Sequence, residues 1–229
     1  MIFYIRNIYF IDNSITIENS KLSGGTKKEE AKHHKEAAKA IMLYQSMSGD
    51  ADQGTSKFTA KDSTLTSTSD GAFFYITNTQ GIINLENTLI ENPGDVLLQA
   101  EGNESERGWG RSGKNGGMVT MNTKNQILNG DIFADEISFV ILNFGDGTEY
   151  TGAINKMIKS THVKLKLDKK ASLTLTADSY VDVLDNADKS CKNIISNGHT
   201  LYYNKKSPEN KWLKRKTIKL KDGGKIRGI

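Results

Sequence analysis

Short β-prone runs recur roughly every ten residues along this 229-residue chain, and almost every run closes on Asn, Asp, Ser or Gly. Residues 14–20, 57–63, 72–78, 82–88, 118–122, 138–143, 162–168, 172–176 and 180–185 all have this form. Within a run, apolar and polar residues alternate with period two. That pattern describes strands that bury one face and hydrate the other, so the chain is expected to be all-β.

The runs can be laid over one another. Ile17-Glu-Asn19-Ser-Lys-Leu22 matches Ala60-Lys-Asp62-Ser-Thr-Leu65, Leu85-Glu-Asn87-Thr-Leu-Ile90 and Leu128-Asn-Gly130-Asp-Ile-Phe133. The central positions 19, 62, 87 and 130 stand 43, 25 and 43 residues apart. The short step is the size of one coil of a parallel β-solenoid, and fixed self-similarity of this kind marks a stacked repeat. The two long steps each carry an inserted segment. One, about residues 26–40, is rich in helix formers and predicts a short helical insertion before a strand that starts near Ile41. The other, about residues 101–117, is a Gly-rich loop. Insertions at the corner of a coil add little loop-closure cost. Asn, Asp and Gly are the residues a corner needs, because they enter left-handed backbone conformations at low cost. The 19 asparagines also allow amide ladders from coil to coil. The whole chain, 1–229, therefore reads as a single β-helix domain.

Composition narrows the classes. Two prolines exclude collagen-like and Pro-rich chains, and no run of 18 apolar residues could cross a membrane as a helix. The net charge of +4 is uneven: residues 205–229 hold ten basic and two acidic side chains, so the remainder is acidic. In that tail, lysines alternate with Leu213, Ile218 and Leu220, which suits a final edge strand guarded by charge. A surface for an anionic polymer is the other reading; specific nucleic-acid recognition is not expected. Cys191 is alone, so no internal disulfide forms, and no nucleophile signature surrounds it. His33 and His34 are adjacent on the helical stretch and diverge, so they do not chelate. The first residues are apolar but broken by Arg6 and Asn7, without the pattern of a signal peptide. A chain that starts after its native leader is the expectation.

Tyr44-Gln-Ser-Met-Ser-Gly-Asp50 with residues 58–63, residues 74–79 with 83–88, residues 130–135, residues 173–176 with Asp178-Ser-Tyr-Val181, and Asn193-Ile-Ile-Ser-Asn-Gly-His-Thr-Leu-Tyr-Tyr203 resemble right-handed parallel β-helix proteins of the pectin-lyase-like and adhesin-like kind. The resemblance spans about residues 8–220. It implies a right-handed parallel β-helix in an extracellular or cell-surface setting. It leaves two functions open: a non-catalytic adhesin-like module presenting a flat sheet face to a polysaccharide or surface partner, and a Ca²⁺-dependent polysaccharide lyase or related enzyme. A purely structural spacer is the third class.

Candidate residues follow from the chemistry each function needs. In the Gly-rich loop, Trp109 flanked by Arg107 and Arg111 could stack on a sugar and grip an acidic one, or the ring could pin the loop. Calcium takes six to eight oxygens, and Asp131, Asp135 and Glu136 lie close together in sequence, with Asp146 and Glu149 shortly after. Lys156 or Arg111 is the candidate base for a lyase. The same acids also suit turns. Calcium is the only cofactor these residues suggest.

Overall fold

A computed structural model describes residues 3–7 (backbone alone), 12–27, 29, 38–45, 54–103 and 110–229. Each coil contributes up to three strands. The first three coils hold β1 (Phe3–Asn7), β2 (Asn13–Glu18) and β3 (Lys21–Gly24); β4 (Lys39–Gln45), β5 (Thr55–Lys61) and β6 (Thr64–Ser67); and β7 (Ala72–Thr77), β8 (Thr79–Glu86) and β9 (Leu89–Glu91). The next two hold β10 (Val96–Ala100), β11 (Gly117–Lys124) and β12 (Ile127–Asn129), then β13 (Asp131–Ala134), β14 (Phe139–Phe144) and β15 (Glu149–Gly152). Beyond them come β16 (Val163–Leu167) and β17 (Ser172–Leu175), then β18 (Ser179–Val181), β19 (Val183–Asn186) and β20 (Ile194–Ile195). The chain closes with β21 (Thr200–Tyr203), a 3-10 helix (Pro208–Leu213), β22 (Ile218–Lys219) and β23 (Lys225–Gly228).

Strands of successive coils stack into sheets ordered β1-β4-β7-β10-β13, β2-β5-β8-β11-β14-β16-β19, β3-β6-β9, β12-β15-β17-β20 and β18-β21-β23-β22. Pairing is parallel throughout the described strands except between β22 and β23. The expected parallel β-helix is the observed architecture. Ile154 carries the first sheet onward: it bridges Ile132 on one side, and its carbonyl accepts the Tyr180 amide at 2.9 Å on the other.

Inward positions form columns along the axis. Ile15, Phe58, Ile83, Met121, Leu142, Leu165 and Leu184 make one column of the second sheet, each in register with the next. From Phe58 to Leu184 these side chains are at most 1% exposed. Burying each one favours folding by about 1.5–3 kcal/mol. The column is continuous because every coil presents the same parity of apolar residues to the centre.

Corners follow the Asx rule, with one correction to the sequence alignment. Asn19, Asp62 and Asn87 sit in left-handed conformations directly after β2, β5 and β8, as expected. The fourth member is Asn125 (φ 47°), not Gly130. Lys124 pairs with Glu86, so the third step is shorter than the repeat alignment implied, and Gly130 belongs to the following corner. The motif was masked because Gln126 stands where the other coils have Ser20, Ser63 and Thr88.

Gln126 has a structural task. The sheet β3-β6-β9 stops here, and β12 opens a new one. The Gln126 carboxamide spans the break: its Oε1 accepts the Thr88 amide at 3.0 Å and its Nε2 donates to the Thr88 carbonyl. Gln126→Ala is expected to cost about 2 kcal/mol, because two buried backbone groups lose their partners. Chemical denaturation checks this, with Gln126→Glu separating loss of the donor from loss of the side chain.

The expected helical insertion falls outside the described residues except at its margins. Its last two positions, Lys39 and Ala40, already belong to β4, so the strand begins before Ile41. The tail also differs from the single edge strand expected. Leu213 ends the 3-10 helix, and only Ile218 and Lys219 form the short edge strand β22. Pro208 fixes the first helical residue, and Leu213 turns into the core at 2% exposure.

The 3-10 helix closes the second sheet. β19 is that sheet's last strand and would otherwise leave its edge groups open. Asn210 Oδ1 accepts the Leu184 amide at 2.9 Å, and its Nδ2 donates to the carbonyls of Asp182 (2.7 Å) and Asn204 (2.9 Å). Trp212 Nε1 donates to the Leu184 carbonyl at 2.8 Å. Two side chains thus replace the strand that a further coil would have supplied.

Candidate functional site

The outward columns of the second sheet differ in chemistry. The first is apolar and aromatic at its centre, running Gln80, Met118, Phe139, with His162 in register beyond. The second runs Lys57, Ile82, Thr120, Ile141, Lys164. The third is Thr59, Asn84, Asn122, Asn143. The fourth alternates in charge: Glu18, Lys61, Glu86, Lys124.

Three of these columns carry side-chain contacts from coil to coil. Asn84 Nδ2 donates to Thr59 Oγ1 at 3.1 Å, Asn122 Nδ2 to Asn84 Oδ1 at 2.9 Å, and Asn143 Nδ2 to Asn122 Oδ1 at 2.8 Å. A carboxamide NH₂ has two hydrogens, so this ladder uses one per residue. Glu86 pairs with Lys124 at 3.2 Å and Lys61 at 3.8 Å. The Phe139 and His162 rings stack at 4.2 Å and 11°. Adjacent coils lie about 4.8 Å apart, so rings in one column meet face to face. Phe139 and Ile141 remain 41% and 37% exposed. The arrangement offers an apolar strip beside a rigid row of amides, the chemistry of recognition rather than of proton transfer.

The candidate calcium residues do not gather. Asp131 Oδ1 accepts the Ala153 amide at 2.9 Å and its Oδ2 pairs with Lys156 Nζ at 2.6 Å. Asp135 Oδ2 accepts the Gly102 amide at 2.7 Å and its Oδ1 the Ile137 amide at 3.3 Å, which caps a turn. Glu136 is exposed on that turn. Asp146 Oδ1 accepts the Lys170 amide at 3.1 Å. Among the described residues, no three His, Cys, Asp or Glu side chains converge where a metal ion could sit. Lys156, the candidate base, pairs with Asp131 and its Nζ lies 5.4 Å from the Phe133 ring centroid. Asp131 and Lys156 line a groove of about 560 Å³ with Pro93, Asp95 and Thr176.

Arg111 lies exposed just after Gly110, which turns the chain at φ 76°. Trp109 and Arg107 fall outside the described residues, as do His33 and His34. Cys191 is buried at a left-handed corner, and burial pushes its thiol upward, away from the thiolate a nucleophile needs. Asp188 and Asp222 move the other way: the Ser190 and Ser196 hydroxyls donate to them and hold both carboxyls below the usual range.

A second concavity, about 580 Å³, runs along the corner formed by Asn19, Asp62, Asn87 and Asn125. Its rim carries the exposed Leu89 and Ile127. Asn87 Nδ2 donates to Asp62 Oδ1 at 2.7 Å, a separate side-chain contact between coils at the corner. Sequence reasoning anticipated the corner residues but missed the Asn84–Asn122–Asn143 row. Its one signal is an asparagine between two inward residues in each of β8, β11 and β14, both apolar in β8 and β14 and Met121 and Thr123 in β11.

In comparisons with known proteins, no family model, curated protein or solved structure matches this chain.

Proposed function

We propose that this chain is a non-catalytic, adhesin-like module that binds a linear polysaccharide on the outer face of its second sheet. One observation carries the reading: an apolar strip of exposed Phe139 and Ile141 with half-buried Met118 runs beside the Asn84–Asn122–Asn143 amide ladder on the outer face. A pyranose ring has an apolar C–H face and a rim of hydroxyls, and it needs both kinds of partner. Because the ladder repeats over three successive coils, it suits a repeating polymer better than a single sugar. Asp131 and Asp135 support binding over lyase chemistry, since both serve as backbone acceptors. The setting that accompanies this reading is extracellular or at the cell surface.

Phe139→Ala is expected to weaken binding of the preferred polysaccharide at least tenfold in titration calorimetry. Its effect on stability stays within about 1 kcal/mol, because the ring is already partly solvated. The starting panel is neutral and acidic linear polysaccharides. Unchanged affinity in the variant, or release of unsaturated product from polygalacturonate with added Ca²⁺, would overturn the proposal.

A further inference from the structure

The chain's charge asymmetry has a local focus that the platform does not use. The loop and 3-10 helix that close the solenoid form a groove of about 310 Å³ lined by Lys205, Lys206, Lys211, Lys214 and Arg215. Among the described residues no acidic side chain lines it. Glu209, the acid nearest in sequence, is turned to Lys164, with a 2.7 Å contact. Among the described residues, none of the five cations makes an ion pair.

The groove is built, not draped. Lys205 N donates to the Ile229 carbonyl at 3.1 Å and Lys206 N to Asn204 Oδ1 at 2.9 Å. Asn210, 3% exposed, ties the helix to β19 from below. The far wall carries strain. Lys214 and Arg215 are consecutive non-glycine residues in the left-handed region, at φ 51° and 57°. Most other positive-φ positions of the described residues hold Asn, Asp or Gly, with Ile158 and Cys191 the further exceptions. Here a cation takes each strained position, and the turn that holds them is fixed by Lys214 N donating to the Lys211 carbonyl at 3.0 Å and Lys216 N to that of Leu213 at 2.9 Å. Strained backbone of this kind, over-determined by its surroundings, concentrates at ligand clamps.

Five unpaired like charges in one concavity repel one another, and a multivalent anion relieves that repulsion. Arg215 adds the planar fork that grips an oxyanion through two parallel hydrogen bonds. The lining has no aromatic ring on which a base could stack, which single-stranded nucleic acid would call for. We infer that this groove binds the sulfate or phosphate groups of an acidic saccharide, as a second site separate from the sheet platform.

The test titrates the full chain with dextran sulfate, a phosphorylated dextran, neutral dextran and a single-stranded oligonucleotide of matched charge. The double variant Lys214→Gly/Arg215→Gly removes two charges and relieves the left-handed strain, so its denaturation midpoint is expected to stay level or rise. Affinity for the better of the two charged dextrans should fall at least tenfold, while any binding of neutral polysaccharide to the platform stays unchanged. The dextran that binds tighter identifies the group. Lys169→Gln/Lys170→Gln, on the turn between β16 and β17, is the matched control. An equal loss in that control, no loss in the double variant, no binding of either charged dextran, or tighter binding of the oligonucleotide would each overturn the inference.

Discussion

Phe58→Ala is expected to lower the unfolding free energy by about 3–5 kcal/mol, the range for emptying a large aromatic site in a packed core. The ring is fully buried and meets Phe74 edge-on at 5.8 Å, which in turn meets Phe73 at 4.9 Å. It stands in the inner column between Ile15 and Ile83. Those neighbours cannot slide along the axis to fill the gap, because the parallel ladders fix coil spacing on both sides. The cavity therefore persists, and its full cost is expressed. A stacked array contacts only its nearest coils, so the damage should spread unevenly. Guanidinium denaturation measures the total. Amide exchange should lose protection most in β2, β5 and β8, and least in β16 and β17. A uniform loss, or a cost below about 1 kcal/mol, would contradict this account of the core.

Asn210→Ala should cost about 3 kcal/mol, nearly as much as the core variant, although it removes only a carboxamide. The side chain satisfies the Leu184 amide and the carbonyls of Asp182 and Asn204. Leaving a buried backbone group unpaired costs about 1–3 kcal/mol, and an edge strand has no other partner to turn to. Asn210→Asp keeps the acceptor for Leu184 but loses both donated bonds, so it should fall between wild type and alanine. The signature is local: β19 and the 3-10 helix exchange faster while β5 and β8 do not. Equal stability of Asn210→Ala and wild type would mean that Trp212 alone closes the sheet.

The fold was legible because its main rule is local. Alternation over residues 57–63 and 118–122 marks β5 and β11 without knowledge of any neighbour. Two kinds of detail were not. Residues 180–185 read as one run, yet they hold the end of β18 and most of β19. Asp182 turns the chain between them in one residue, too short a break to disturb the period. The slip from Asn125 to Gly130 has another source: a single Gln126 replaces the Ser or Thr of the motif, and the alignment moves to the next similar string. The platform was hidden for a deeper reason. Phe139 meets His162, and Asn84 meets Asn122 and then Asn143, only through registers that jump by the length of each coil. Those lengths vary with the insertions, so no fixed period links the partners. The acids failed in the opposite sense. Asp131 and Asp135 are close in sequence, but strand and turn geometry commits each one to a different backbone amide.

The chain reverses direction at β22, which lies antiparallel on β23, while the neighbouring sheet ends under a helix rather than a strand. A second molecule arriving at this end with its own opening coil would find the second sheet covered and β22 running against its strands, with the two-residue β20 left as a parallel edge. Head-to-tail polymerisation, the hazard of any column built from like layers, is therefore blunted here by the 3-10 helix and by β22.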